Sequence, residues 1–203
     1  LSGMDLPIKT QDEIHAFFDS SDKEFLGIVP QESEYTRSHV KYDYSFLKSP
    51  RYRSSVVRKI FGRISVKLQK IIGVDKSYNP ENWSFVDGWT WFSITNAFAE
   101  YAVEQEELIK KIFSNAKAPD EMFLQTLAYN SEFRECLHDS RDLVNGSMRY
   151  IDWKRGTPYV FRKDDFKSLI GSPAMFARKF DERIDSDIID MICEFFNHES
   201  KIV

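Results

Sequence analysis

Cysteine and glycine are scarce in this 203-residue chain, with two Cys and eight Gly. Two thiols cannot build a disulfide framework, and the separation of Cys136 and Cys193 matches no zinc-ligand spacing. They read as free thiols in a reducing compartment. So little glycine excludes a flexible, low-complexity protein. No run approaches 18 apolar residues, so no stretch reads as a membrane-spanning helix. A net charge of only −4 argues against a dedicated nucleic-acid binder, and no nucleic-acid partner is expected. A Gly-rich phosphate loop, HExxH and Gly-x-Ser-x-Gly are also missing.

What is present is an ordinary globular composition with a heavy aromatic load of 17 Phe, 9 Tyr and 4 Trp. The length suits a single domain with a sizeable core. Leu1-Ser2-Gly3-Met4-Asp5 reads as the end of a buried strand entering a turn, so the chain is expected to be the later part of a longer protein. Thr10 and Glu13 have capping-box spacing, with Ile14, Phe17 and Phe18 on one face of the helix they open. Phe25–Val29 reads as a strand closed by Pro30. Residues 73–87 read as a loop and Trp89–Thr95 as an aromatic β-rich run. Asn96–Phe113 has helical periodicity, and Pro119-Asp120-Glu121 opens another helix. Tyr150–Trp153 and Tyr159–Phe161 are strand candidates. Asp164–Ile170 and Ser186–Phe196 are helices. The mixture predicts an α/β or α+β unit without repeats or linkers.

Residues 48–70 hold eight Lys or Arg and no acid. Val57, Ile60, Phe61, Ile64, Leu68, Ile71 and Ile72 recur through this region at helical spacing. The pattern is a basic amphipathic helix, read either as a helix with a solvated cationic face or as a surface attracted to anionic phospholipid or a phosphorylated carrier.

Candidates for chemistry are few. His15, His39, His138 and His198 show no metal spacing and read as surface or capping residues. Asp185 and Asp187 have the spacing of a metal-binding pair, but their place at a helix start favours capping. Glu121 stands at a helix start where the dipole favours its ionised form, which reads either as simple charge compensation at the helix terminus, the favoured reading on the residues alone, or as a general base. Phe176 and Phe180, one helical turn apart, bracket Arg178 and Lys179, which read on pattern alone as a surface basic pair, or as a fixed lysine suited to a phosphate. Trp153 is either core or a stacking face for a sugar.

Five blocks in order make a specific pattern: Leu1–Thr10, Gly88–Thr95, Pro119-Asp120-Glu121 with Phe123, Thr126 and Asn130-Ser131, Arg149–Trp153, and Phe176–Asp181. Together they resemble glycosyltransferase family 14, the core-2 and I-branching β-1,6-N-acetylglucosaminyltransferases and peptide O-xylosyltransferases. The resemblance implies the C-terminal portion of a GT-A-like α/β fold, a mixed sheet flanked by helices. Residues 1–203 would form a single catalytic domain lacking its N-terminal nucleotide-binding part. It implies inverting transfer of N-acetylglucosamine or xylose from a UDP-sugar to a hydroxyl of a glycan or lipid-linked acceptor, without a metal or other cofactor. Glu121 is then the base, and Lys179 contacts the donor diphosphate. Arg155 and Arg162 are both candidates for the assisting arginine. Asp5 is a donor-sugar contact, and Trp153 and Trp91 line the acceptor site. Two cysteines look like a bacterial, cytosolic member, held at the inner membrane face through 48–70. The alternatives are a non-catalytic carbohydrate- or carrier-binding protein that keeps the fold, and a membrane-surface adaptor led by the basic helix.

Overall fold

The computed structural model of the chain describes residues 3–48, 55–79 and 82–199. Leu1-Ser2, residues 49–54 of the basic segment and the side chain of His198 lie outside that description. In chain order, β1 (Asp5–Pro7) leads to α1 (Gln11–Asp19), β2 (Phe25–Val29), α2 (Glu34–Lys41) and α3 (Ser55–Ile71). Then come β3 (Asp87–Ser93), α4 (Asn96–Glu104), α5 (Glu106–Phe113), α6 (Phe123–Tyr129), α7 (Leu143–Ser147) and β4 (Arg149–Ile151). Last are α8 (Phe166–Ile170), β5 (Phe176–Arg178) and α9 (Asp187–Glu199).

The fold is mixed α/β, with small sheets flanked by helices. In the three-stranded sheet β5 is central, antiparallel to β1 and parallel to β4. The second sheet pairs β2 with β3 antiparallel, Phe25 opposite Ser93 and Val29 opposite Asp87. Its register breaks where β2 passes from Leu26 to Ile28. The two backbones touch at that point, since a Cβ on Gly88 would lie 1.8 Å from the Gly27 carbonyl oxygen. No larger residue fits there without moving a strand.

Each sheet has its own core. Leu26, Ile28, Phe85, Val86, Phe98, Ile112, Phe113 and Leu127 bury the β2–β3 pair against α4, α5 and α6. Ile8, Phe161, Leu169, Ala177, Phe180, Ile188 and Ile192 do the same for the mixed sheet with α8 and α9. A third cluster of Ile14, Phe25, Met148 and Met175 sits under α1. Arg149 ties the sheets together. It is 4% exposed. Its guanidinium donates to Ser147 O, Phe92 O and Ser93 Oγ and lies 4.2 Å from the Phe176 ring centroid. Burial pulls its pKa down to about 10, against the favourable pull of Asp5.

The sequence reading holds for α1, whose reciprocal Thr10–Glu13 capping box forms as expected. Other readings change, the first being Leu1–Asp5: Gly3-Met4 is a turn that leads into the strand beginning at Asp5, not the end of a strand entering a turn, while Leu1-Ser2 lie outside the described residues. Asn96–Phe113 is two helices, interrupted at Gln105. Tyr159–Phe161 is not a regular strand, although its backbone exchanges hydrogen bonds with Lys179. Phe176–Arg178 is extended, not helical, so Phe176 and Phe180 are not one turn apart. His39 is a core residue, 4% exposed, against the expectation of a surface or capping role.

Candidate active site

Pro119–Glu121 is a single 3-10 turn, and α6 starts only after Met122. Ala118, just before it, adopts a left-handed backbone (φ 47°) that favours glycine. Strain of this kind costs about 1 kcal/mol and persists only where the surroundings enforce it. The turn packs against β3, so Glu121 comes near Asp87. Its carboxyl is pushed above its ordinary value, first by partial desolvation and then by the charges of Asp120 and Asp87, with Lys117 opposing. This corrects the expectation from the helix dipole. A three-residue turn supplies no useful dipole, and desolvation together with two neighbouring carboxylates outweighs it. The result still suits a base, because proton transfer is most effective with a pKa nearer the working pH.

From Asp87 the strand runs under three tryptophans. Trp89 lies 6.1 Å from Trp91 and 6.2 Å from Trp153, measured between ring centroids. Trp153 is 46% exposed, which leaves ring surface open to a ligand. The polar face of α6 clamps the segment leading into and through β3. Asn130 bonds the backbone N–H and carbonyl of Ser84, Thr126 does the same at Val86, and the Gln125 amide donates to Trp89 O at 2.7 Å. Gln125 Oε1 is buried and, among the described residues, has no hydrogen-bond partner.

At the far end, the Arg178 guanidinium lies 3.9 Å from the Trp91 ring centroid and 3.6 Å from Asp5. The Asp5 side chain is 1% exposed, and its carboxylate is engaged beneath Arg178. Lys179 follows directly. It is half-buried, and its charge reaches the neighbouring Asp181 carboxylate, which Arg183 holds directly.

The other expected donor contacts fare differently. Arg155 is held by Asp152 and by Asp165 at 2.7 Å, and its guanidinium stacks 4.1 Å from the Tyr159 ring centroid. Those two carboxylates raise its pKa and neutralise most of its charge. Arg162 is exposed, at the start of the next 3-10 turn. Asp185 caps α9, accepting from Ile188 N and Lys163 N, while Asp187 faces Lys163 at 3.7 Å. Among the described residues no group of three His, Cys, Asp or Glu side chains is placed to hold a metal. A cleft of about 390 Å³ opens between Gly3–Leu6 and Phe180–Arg183, but neither Glu121 nor Lys179 lines it.

Sequence reasoning named Lys179 and passed over Arg178, Trp89 and Gln125. Arg178 left no usable local signal, because a three-residue strand is too short for alternation to show which way its side chain faces.

The sequence model of the core-2/I-branching enzyme family matches residues 1–170. Xylosyltransferase sqv-6 of Caenorhabditis briggsae is 32% identical over 141 residues, covering 60% of this chain and 18% of that protein. Xylosyltransferase 2 of Rattus norvegicus is 24% identical over 209 residues, covering 95% of this chain and 22% of that protein. Xylosyltransferase 2 of Homo sapiens gives the same 24% over 209 residues. The chain thus spans about a fifth of the length of the curated relatives it matches. These relatives are animal proteins and lend no support to the expected bacterial source.

Proposed function

Because the chain belongs to the core-2/I-branching enzyme family, we propose that it carries the acceptor-side and catalytic part of a glycosyltransferase that moves a sugar from a UDP-sugar to a hydroxyl with inversion. The observation that carries this reading is one strand. β3 runs from Asp87, beside Glu121, to Trp91, beneath Arg178. Four residues of strand span up to about 13 Å, room for a sugar ring and the phosphate beyond it. Glu121 takes the proton of the acceptor hydroxyl as that oxygen attacks the anomeric carbon. The bond to the diphosphate breaks, and the negative charge that leaves is met by fixed cations.

Lys179 is the cation we assign to the diphosphate, with Arg178, which faces one carboxylate at 3.6 Å, as its partner in place of Arg155, which two carboxylates hold in hydrogen-bond contact. Arg162 remains a second contact reached from the exposed side. Asp5 acts by holding Arg178 instead of touching the donor sugar. Trp153 offers the open ring for the acceptor, with Trp89 and Trp91 packed behind it.

The names of the relatives favour xylose over N-acetylglucosamine as the sugar. Fixed cations do the work a divalent metal does elsewhere, so transfer is expected to survive EDTA. Two free thiols, one exposed, suit the reducing cytoplasmic side. The acceptor is then a glycan or lipid-linked hydroxyl reached from that side. The test is release of free UDP from a panel of UDP-sugars by the full-length protein. Release from UDP-xylose that depends on acceptor supports the reading, and no release from any UDP-sugar would leave the non-catalytic binding alternative.

A further inference from the structure

Helix α3 is packed inside out. Its half-buried positions are Gly62, Ser65, Val66 and Gln69. Gln69 bonds both the N–H and the carbonyl of Asp43, while Phe46 lies beside Gly62 and its ring meets that of Phe61. The large apolar residues point the other way. Val56, Ile60, Ile64, Leu68, Ile71 and Ile72 are 53–73% exposed. At 100° per residue Ile60, Ile64, Leu68 and Ile71 fall in one stripe along the helix. Arg63, Lys67 and Lys70 are exposed and fall along one edge of that stripe. Among them Lys70 has a distant ion pair with Glu34 at 3.8 Å. A soluble monomer rarely leaves so much aliphatic surface in one place.

We propose that this face of α3 lies in the surface of an anionic phospholipid membrane. This goes beyond the transfer reaction and stands independently of it. Charge selects the occupant. The sequence of α3 carries five cations, Arg58, Lys59, Arg63, Lys67 and Lys70, and no acid, in a chain whose net charge is −4. A second copy docking through the same face would bring two such basic segments together and repel. An anionic lipid surface accepts both halves of the pattern at once. The aliphatic stripe enters the acyl boundary, and the Arg and Lys edge stays with the phosphates. Among the described residues no helix is long and apolar enough to cross a membrane, so contact through α3 is peripheral.

The experiment is flotation of the full-length protein with vesicles of phosphatidylcholine alone and of phosphatidylcholine with 30% phosphatidylglycerol, about a third anionic so that each cation counts. Three proteins are compared: the natural sequence, Arg63→Gln/Lys67→Gln, and Ile64→Asp/Leu68→Asp, each checked for an unchanged far-UV spectrum. The natural sequence should float with the anionic vesicles at least tenfold better than with the neutral ones, and less well in high salt. Removing two cations should lower anionic partitioning about 30-fold. Removing the aliphatic pair should abolish it, and these replacements touch exposed residues, so folding survives. Equal flotation with both vesicle types would overturn the proposal. So would a natural protein that stays in solution, whether as a monomer with the stripe covered by another part of the polypeptide or as a dimer that Ile64→Asp/Leu68→Asp dissociates.

Discussion

Arg178 stands between Asp5 and Trp91, 3.6 Å from the carboxylate and 3.9 Å from the ring centroid. The two contacts immobilise a guanidinium at the end of β5, one residue before Lys179. A cation fixed in this way pays little reorganisation when a diphosphate departs. Lys179→Ala should therefore weaken UDP binding and reduce transfer by about 100-fold. Asp5→Asn should act more mildly and in the same direction, through a loosened Arg178. Arg155→Gln should change UDP affinity little, because that guanidinium already serves Asp152 and Asp165. Titration calorimetry with UDP separates the three, and an Arg155→Gln loss as large as that of Lys179→Ala would refute the assignment.

Glu121→Gln should cut transfer roughly 100- to 10,000-fold, the span typical of a lost general base, while UDP affinity stays within a factor of two or so. The ionised form is the active one. Because its pKa is raised from the ordinary value, activity should fall on the acid side at a higher pH than an unperturbed glutamate would give. Asp87→Asn removes one of the charges that raise it, so the acid limb should move to lower pH. Lys117→Gln removes the opposing charge and should move the limb to higher pH. A pH profile of kcat/KM for the three proteins reads both shifts.

The elements readable from sequence were those with local signatures. The Thr10–Glu13 capping box, the Phe25–Val29 strand and the apolar spacing of α9 all announce themselves within a few residues. The strands of the mixed sheet did not. β1, β4 and β5 are three residues each, too short for alternation to register, and β5 is extended only because β1 and β4 flank it. The site followed the same division. Glu121 and Lys179 stood out by their neighbours in sequence. The aromatic ring that carries Arg178 comes from β3, 87 positions earlier. The direction of the Glu121 pKa is not legible locally, because it is set first by partial desolvation in the folded chain and, after neighbouring Asp120, by Asp87, 34 positions away.

Gly88→Ala tests the strand that links the two ends of the site. Its Cβ would overlap the Gly27 carbonyl oxygen at 1.8 Å and crowd Gln125 at 3.1 Å. Backbone cannot yield as a side-chain end can, so the β2–β3 pair must part. Stability should fall by roughly 1–3 kcal/mol or more, read as a lower urea midpoint. Transfer should drop further than stability explains, since Trp89 and Trp91 follow directly.

His39 gives the chain a pH dependence unrelated to catalysis. Its imidazole is 4% exposed, packs against Tyr35, and has the Lys117 ammonium 3.4 Å from Nε2. Burial first, and the Lys117 charge second, pull its pKa from 6.5 to about 4. The unfolded chain therefore binds a proton more readily than the folded one between those two values. Stability is fullest above pH 6.5 and falls as the pH drops towards 4, by roughly 3 kcal/mol if this group acts alone. In His39→Gln the partner of Lys117 survives as an amide, but the titration is gone. Urea unfolding at pH 7.5, 5.5 and 4.5 should show the natural protein losing stability steadily and the variant, weaker at the start, losing markedly less across the same interval. Parallel losses in the two proteins would place the acid sensitivity elsewhere, with Asp43, held at about 2 by Lys76, acting only at much lower pH.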